Sequence, residues 1–319
     1  MPPDKITKRF FNNFEINRKK GIITKSSIFY EKMNDEIRWY LNFPKKFSRY
    51  LPRIYDYSLG ISPNLTMKFY RGGPISAHLC KDNLSLSQWK IFFEKIKLML
   101  YDFHSFSSEY DRKKHEKSIK EMYYDKTIKR LDELLNQKDW KSLFSRDITI
   151  NGINYSMKKF KRDLRNCFTS YIKFLPERNF CLIHGDLCAN NILFNPKNSE
   201  IKLIDPRGRF GNYSIYGDPK YDLAKLSHSF MGFYELILDG RYKISFRNNS
   251  IKYRIFASKK QISVSRLFKK LFLNDTNAKE IRLIESMLFL SMIPLHAENF
   301  NNQLVFLSRG LELFYHNRG

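Results

Sequence analysis

The chain has 319 residues, of which 42% are hydrophobic and 16% aromatic, so it can bury a core in one or two domains and is not a disordered protein. It carries 57 Lys and Arg against 32 Asp and Glu, a formal net charge of +25. Such a charge attracts polyanions, but it is equally explained by a composition rich in Lys, Asn, Ile and Phe that spreads lysine over the whole surface.

The N-terminal part has the pattern of short strands with one helix. Asn34 is predicted to cap a helix that contains Glu36 and Trp39 and ends near Pro44. A basic turn separates the first two strands, and glycines close the last one. The predicted strands cover residues 10–16, 21–27, 51–59 and 64–73.

From residue 85 the spacing of the apolar residues changes to that of helices. Ser87 is predicted to cap a helix whose apolar positions include Trp89, Phe93 and Phe103. Further helices are predicted over residues 113–136, 155–175, 278–292 and 299–316, with a basic strand-like segment over 241–257.

Between residues 180 and 230 short strands alternate with polar loops. A short apolar strand leads into a loop, two strands enclose an Asn/Pro/Lys/Asn turn, and a Gly-rich loop precedes a helix. The whole pattern predicts an α+β protein with two lobes. The smaller, β-rich lobe covers residues 1–75 and the larger, mainly helical lobe covers 76–319.

Cysteine usage and hydropathy indicate a location. Cys80, Cys167, Cys181 and Cys188 form no CxxC pair, which fits a reducing compartment and weakens a zinc or disulfide hypothesis. The opening MPPDKITKRFF lacks the apolar core of a secretory signal, and no apolar run approaches ~18 residues. We therefore expect a cytoplasmic protein without a transmembrane segment, and peripheral contact with an anionic membrane stays open.

One short segment carries candidate chemistry. His184-Gly185-Asp186 is followed by Asn191, and Leu-Ile-Asp205 lies nineteen residues after Asp186. Phosphoryl transfer needs one carboxylate that orients or deprotonates the acceptor hydroxyl, and oxygen ligands that hold Mg²⁺ against the donor phosphates. Asp186 would be the base, with Asn191 and Asp205 as metal ligands. The alternative for each residue is a plain turn position.

This pattern resembles the phosphotransferase family of aminoglycoside kinases, choline kinases and related small-molecule kinases. The family motif is His-Gly-Asp, four residues, Asn, and later Ile-Asp, and the segments at 184–191 and 204–205 match it position by position. The resemblance implies a bilobal protein-kinase-like fold. It also implies that His184 mainly holds the loop and that Asp222 caps the next helix and braces the loop.

Three further segments are similar to a bacterial subgroup of that family linked to capsule or other surface-polysaccharide synthesis. These segments are Ile204–Gly208, Tyr216–Leu226 and Ser291–His296.

The resemblance implies a donor-nucleotide site in the N-terminal lobe. The family places a strand Lys on the phosphates and pairs it with a helix Glu. Lys25 and Glu36 are the candidates for this pair, and Lys20 and Glu31 are fallback choices. The strand through Met67 and Phe69 would be the hinge that meets the base. Gly21 is the only glycine before Lys25, so the chain departs from members that have a glycine-rich loop over the phosphates.

Several other polar residues have open assignments. Arg207 and Arg209 either contact an anionic ligand or are solvated. His296 and Glu298 either border the acceptor cleft or cap a helix, and Asp218 either orders its loop or touches the acceptor.

These expectations describe a Mg²⁺-dependent kinase that uses ATP or another NTP and a small hydroxyl acceptor, such as a sugar, polyol or amino alcohol. Two alternatives stay open. The missing glycine-rich loop suggests a binding protein with a degenerate kinase fold. The charge of +25 suggests a protein that binds nucleic acid or an anionic surface, although no specific nucleic-acid partner is expected.

Overall fold

The structure is a computed structural model that describes residues 12–175, 177 and 179–316. The chain divides into two compact units. The first runs to Ser108 and resumes over Phe180–Asp222, and the second comprises Glu109–Asn179 and Leu223–Gly319. The functional division into a nucleotide-binding lobe over 1–75 and a catalytic and acceptor-binding lobe over 76–319 stays a prediction.

The first unit begins with a four-stranded antiparallel sheet in the order β1-β2-β4-β3. Lys25 and Leu65 are paired across it and both are buried. The predicted strands are present, but Phe10 and Phe11 of the first prediction lie outside the described residues. The strands are β1 (Asn12–Asn17), β2 (Ile22–Ser27), β3 (Ile54–Ser58) and β4 (Asn64–Lys68).

The first helix, α1 (Tyr30–Asn42), begins earlier than the sequence suggested. The predicted cap at Asn34 is wrong, because Asn34 lies inside the helix and is buried. Its amide exchanges two hydrogen bonds with the backbone of Gly60, so its polar group serves a tertiary contact instead of a helix end. The helix ends before Pro44, as predicted.

A 3₁₀ turn (Lys45–Tyr50), the short strand β5 (Gly73–Pro74) and two helices complete this part of the first unit. The predicted cap at Ser87 is wrong: Ser85 is the N-cap, and it forms a capping box with Gln88. The helices are α2 (Ile75–Lys81) and α3 (Leu86–His104).

The next stretch belongs to the second unit. The helix predicted over 113–136 is a helical run with a π-helical segment at Lys120–Asp125, and the helix predicted over 155–175 is α7. The elements are α4 (Arg112–Ile119), α5 (Lys126–Leu135), α6 (Lys138–Phe144), β6 (Ile148–Ile150), β7 (Ile153–Tyr155) and α7 (Met157–Lys173).

The chain then returns to the first unit with short strands. Two of them form the predicted hairpin and add β5 at one edge, in the order β10-β9-β5, and the other two pair with each other. They are β8 (Cys181–Leu182), β9 (Ile192–Asn195), β10 (Glu200–Leu203) and β11 (Tyr216–Gly217). Helix α8 (Pro219–Phe230) follows and crosses the boundary between the units at Asp222.

The rest of the second unit is helical apart from one hairpin, which joins β6 and β7 in the sheet order β12-β13-β6-β7. The two late helices agree with their predicted bounds to within a residue. The elements are α9 (Tyr234–Leu238), β12 (Tyr242–Arg247), β13 (Ser250–Ile255), α10 (Lys259–Phe272), α11 (Ala278–Met292) and α12 (Phe300–His316).

The core of the second unit centres on α11 and α12. Gly310 of α12 allows this packing, because a Cβ there would lie 2.5 Å from the Leu290 side chain. Ser286 satisfies its buried hydroxyl by donating to the Gly310 carbonyl at 2.8 Å. Within the described residues, no helix combines the length and the apolar character that a bilayer span requires.

Candidate active site

The loop after β8 is held by a carboxylate from the following helix. The backbone N–H groups of His184 and Gly185 donate to Asp222 at 2.6 and 2.8 Å, and all three residues are buried. Asp222 lies in the first turn of α8 and so braces the loop, as expected, but the position before the helix is occupied by Asp218, whose carboxylate accepts from Lys220 N–H. The loop geometry therefore depends on a charge-assisted contact.

The imidazole of His184 is fully buried and bonded on both nitrogens. Nε2 lies 3.0 Å from the Ile204 carbonyl oxygen, and the Asp186 N–H donates to Nδ1 at 3.3 Å. This arrangement needs one N–H donor and one acceptor, which is the neutral ring. Burial lowers the pKa of His184 to about 4, although the Asp186 charge opposes this shift. His184 thus holds the loop as a neutral group.

Asn191 ties the end of this loop back to Asp186. Its Nδ2 donates to the Asp186 carbonyl at 2.8 Å and to the Asp186 carboxylate at 3.2 Å. The Asn191 backbone carbonyl accepts from Ile204 N–H at 2.9 Å, which brings the loop to the residue before Asp205. The motif residues separated in sequence by the hairpin therefore lie together.

Lys25 forms a buried ion-pair cluster with two carboxylates. Its Nζ lies 2.7 and 2.9 Å from the two carboxylate oxygens of Glu36 and 2.8 Å from Oδ1 of Asp205. The Lys25 and Glu36 side chains are each 4% exposed, whereas that of Asp205 is 36% exposed. The fallback residues Lys20 and Glu31 are exposed and take no part in it.

Each member of this cluster has a shifted pKa. Burial disfavours the Lys25 ammonium, but Asp205 and Glu36 overcome it and raise its pKa above the ordinary value. Burial would raise the pKa of Asp205, yet the attraction to Lys25 outweighs it and the net shift is downward. Burial raises the pKa of Glu36 to about 7 against the pull of Lys25. The cluster therefore keeps Lys25 and Asp205 charged at neutral pH.

Asp205 also has an unusual backbone conformation. Its φ is +56°, in the left-handed region that non-glycine residues rarely adopt. Such a conformation persists only where the surrounding structure holds it in place, which is often the case at functional sites. The conformation directs attention to Asp205 as a functional residue.

The oxygen donors near Asp205 suit a hard cation. Asn191 uses Nδ2 for Asp186, which leaves its amide oxygen as the atom available to a metal. One amide and one partly exposed carboxylate, with Asp186 close by, form an oxygen-only set of the kind that Mg²⁺ prefers. No cluster of three His, Cys, Asp or Glu side chains fit for a metal occurs in the described part of the chain.

The predicted base-binding strand is part of the sheet. Met67 is buried and pairs with Ile23 and Ile54 on either side. The Phe69 N–H donates to the Gly21 carbonyl at 2.8 Å, so this amide is already engaged. The roles of Met67 and Phe69 in nucleotide binding stay predictions.

Arg207 lies beneath the loop. Its N–H donates to the His184 carbonyl at 3.0 Å, and a Cβ on Gly185, which has φ +77°, would come 2.8 Å from the Arg207 Cβ. The Arg207 Nε is buried and has no hydrogen-bond partner in the described residues. Arg209 is exposed, 3.5 Å from the Asp35 carboxylate.

Two further residues lie outside the cluster of Lys25, Glu36 and Asp205. In the second unit, His296 bonds with Glu298 at 3.0 Å and with the Tyr234 hydroxyl at 3.2 Å. Cys188 is a buried thiol in the first unit.

Three supporting residues were not identified from the sequence. Trp39 donates to the Ile183 carbonyl, and Ser76 donates to Asn190 in the loop at 2.6 Å. The Tyr40 hydroxyl is buried beside the ion-pair cluster, and burial with the Glu36 charge raises its pKa well above the ordinary value. The sequence predicted that Trp39 lies on this helix, but nothing in the local pattern indicates the partners of these side chains.

Residues 31–245 match the sequence profile described as the phosphotransferase enzyme family. The chain belongs to this family. As a family member it is a small-molecule phosphotransferase. Comparison with curated proteins yields no match.

Several solved structures are similar to this phosphotransferase. The streptomycin-ATP-APH(2″)-IIa ternary complex is similar with a TM-score of 0.50 at 16% identity, over 97% of this chain and 92% of that one. ADP-bound aminoglycoside phosphotransferase APH(2″)-Ib gives a TM-score of 0.44 at 16% identity, over 97% and 96%. Plasmodium vivax ethanolamine kinase gives 0.47 at 13% identity, over 96% and 83%. The first similarity confirms the predicted α+β, kinase-like fold.

Proposed function

We propose that this phosphotransferase is a Mg²⁺-dependent kinase that moves the terminal phosphoryl group of ATP, or of another NTP, to a hydroxyl group of a small molecule. The observation that supports the proposal best is the buried cluster of Lys25, Glu36 and Asp205. Burying an ammonium with two carboxylates costs free energy that a purely structural contact seldom recovers. Phosphoryl transfer would explain why these charges are buried together, because it needs a fixed cation and a metal ligand beside the donor phosphates.

In this proposal each residue of the site has its own role in the reaction. Asp186 orients the acceptor hydroxyl and accepts its proton. Asn191 and Asp205 would hold Mg²⁺, which when bound neutralises charge on the donor phosphates. Lys25 contacts the donor phosphates from the sheet side, and Glu36 keeps its ammonium in place.

The turn between β1 and β2 offers a substitute for the missing glycine-rich loop. In protein kinases that loop covers the phosphates. Here Arg18, Lys19 and Lys20 are exposed at the tip of the hairpin that contains Lys25. Cations at this place would attract the phosphates by charge instead of by backbone amides.

The acceptor is a sugar, polyol or amino alcohol used in bacterial surface-polysaccharide synthesis, and the reaction takes place in the cytoplasm. The similarity of Ile204–Gly208, Tyr216–Leu226 and Ser291–His296 to the capsule-linked subgroup supports this acceptor class.

The test is NTP consumption by the purified protein with Mg²⁺ and a panel of acceptors. The panel comprises sugars, sugar phosphates, glycerol, choline, ethanolamine and aminoglycosides. Asp186→Asn should keep nucleotide binding and lose turnover by about 100-fold or more. Asp205→Asn should lose Mg²⁺-dependent nucleotide binding, and Asp56→Asn, an exposed carboxylate on β3, is the matched control.

The outcomes separate the hypotheses. Acceptor-dependent turnover that disappears in Asp186→Asn supports the kinase and identifies its acceptor class. Nucleotide binding without turnover across the panel favours the degenerate binding protein. Normal turnover by Asp186→Asn, or no nucleotide binding by the wild-type protein, contradicts the proposal.

A further inference from the structure

One face of the β12–β13 hairpin, in the second unit, carries four cations among its six paired residues. The strand register places Lys243 opposite Arg254, Ser245 opposite Lys252 and Arg247 opposite Ser250. Since side chains alternate between the two faces of a strand, these six residues share one face. We call the four cations Lys243, Arg247, Lys252 and Arg254 the basic sheet face.

The opposite face of the same hairpin is committed to the core. Tyr242 and Tyr253 donate their hydroxyls to Asn302 and Glu312 of α12, and Ile251 is fully buried. The hairpin is thus anchored on one side, and the basic sheet face is its outward side: all four cations are exposed.

The four cations have no acidic partner among the residues that the structure describes. In the described part of the chain none of them forms an ion pair, and the contact recorded for Arg254 is with the ring of Phe256, at 5.9 Å. Like charges directly opposite each other on a sheet destabilise it, and Lys243 faces Arg254 in this way. An external anionic partner would relieve the repulsion.

The shape and composition of the face favour an anionic lipid surface. The two strands of six residues make an area about 20 Å long. The Phe256 N–H donates to Arg241 O, which extends the ladder by one pair and puts the 42%-exposed Phe256 ring beside Arg254 on the basic side. Cations next to an exposed aromatic ring are a typical arrangement at a membrane interface.

A nucleic acid fits this surface less well. Single strands are held by several aromatic rings that stack on bases, and here both tyrosines of the hairpin point to α12.

We propose that the basic sheet face docks the protein on membranes that contain anionic phospholipid. The proposal does not depend on the proposed kinase activity.

The test is flotation of the full chain with vesicles of phosphatidylcholine containing about 30 mol% phosphatidylglycerol, against pure phosphatidylcholine. The wild-type protein should bind the anionic vesicles, and salt should weaken the binding. Changing all four cations of the basic sheet face to Gln should lower the partition coefficient by about 100-fold or more. The control changes four other exposed lysines to Gln, removes the same charge and should lower it by no more than about threefold. These lysines are Lys45, Lys81, Lys95 and Lys97.

Three results would overturn the proposal. Equal losses in both variants would show that diffuse charge does the binding. Absence of wild-type binding to the anionic vesicles near physiological salt would show that the face does not dock. A basic-face variant that still floats but loses binding to a single-stranded RNA would assign the face to nucleic acid. Unchanged thermal unfolding of both variants confirms that folding is not the cause.

Discussion

The indole Nε1 of Trp39 donates a hydrogen bond of 3.0 Å to the carbonyl oxygen of Ile183, the residue before His184. The same indole meets the His184 imidazole edge-on, with ring centroids 5.7 Å apart. Trp39 lies three residues after Glu36 on α1, so one helix contacts both the Lys25 ammonium and the loop after β8. We infer that Trp39 is a positioning residue for that loop.

Trp39→Phe tests this inference. The variant keeps an aromatic ring but leaves the Ile183 carbonyl, on a buried residue, without its donor, which costs about 1–3 kcal/mol of stability. We expect kcat to fall about tenfold or more with little change in KM for the nucleotide, because the loop moves and Lys25 does not. Trp140→Phe, at an equally buried tryptophan of the second unit, is the control. Equal kinetic effects in the two variants would contradict the positioning role.

Lys25→Met should destabilise the protein by about 3–5 kcal/mol, because Glu36 and Asp205 lose the buried cation that stabilises their ionised forms. Adding Glu36→Gln should recover part of the loss, since the second charge is then removed. Urea unfolding of the two single variants and the double variant gives the coupling free energy. Additive effects would show that the pair does not interact as its geometry implies.

His184 should make the stability depend on pH in acid. Its pKa is about 4 in the folded protein against 6.5 for the free side chain, so the unfolded chain binds more protons in that window. Stability is therefore full above pH 6.5 and decreases as the pH falls toward 4. The loss amounts to about 3 kcal/mol between pH 7 and pH 4.

The measurement compares the wild-type protein with His184→Gln, whose amide can still donate to Ile204 O but cannot take up a proton. The difference in the free energy of unfolding between the two should shrink by about 3 kcal/mol over that pH range. A constant difference would mean that His184 is not the titrating group.

Gly208→Ala should disturb the packing of α1 against the segment that follows Asp205. Gly208 has φ +88°, and a Cβ there would lie 2.5 Å from the backbone carbon of Asp35. The left-handed conformation costs about 1–2 kcal/mol for a residue with a Cβ, and the clash with backbone adds about 1–3 kcal/mol. Thermal and urea unfolding measure the sum, and activity should fall with it.

Gly60→Ala is the matched control, because Gly60 has φ +108° and nothing lies within 4 Å of the added Cβ. It should show the conformational cost alone. If Gly208→Ala were no worse than Gly60→Ala, close packing of α1 against the loop would not matter.

The sequence alone was sufficient to predict that one group of polar residues lies together in the fold, while their chemical roles stay predictions. His184, Asp186, Asn191 and Asp205 stand at fixed spacings around a recognisable turn, and a tight hairpin leaves few ways to arrange them. The late helices were predictable as well, because α11 and α12 follow a regular apolar period over many residues.

The tertiary structure decided which polar residues cap a helix and which make other contacts. Asn34 suits a helix cap by type but lies inside α1, because the backbone of Gly60 offers its amide two hydrogen bonds. Ser85 and Ser87 are equally good caps in isolation, and the Gln88 side chain selects Ser85. Local sequence does not contain these partners.

The residues of the site differ in the same way: those on the loop are close in sequence, whereas those of the ion-pair cluster are far apart. The spacing of residues along the sequence predicted which of them lie on the loop after β8. The convergence of Lys25, Glu36 and Asp205 joins positions up to 180 residues apart, and the Trp39–Ile183 bond joins positions 144 apart. Such contacts arise only when the sheet, α1 and the hairpin pack together. The sequence therefore left Lys20 and Glu31 as alternatives, and only the folded chain shows that Lys25 is buried between Glu36 and Asp205.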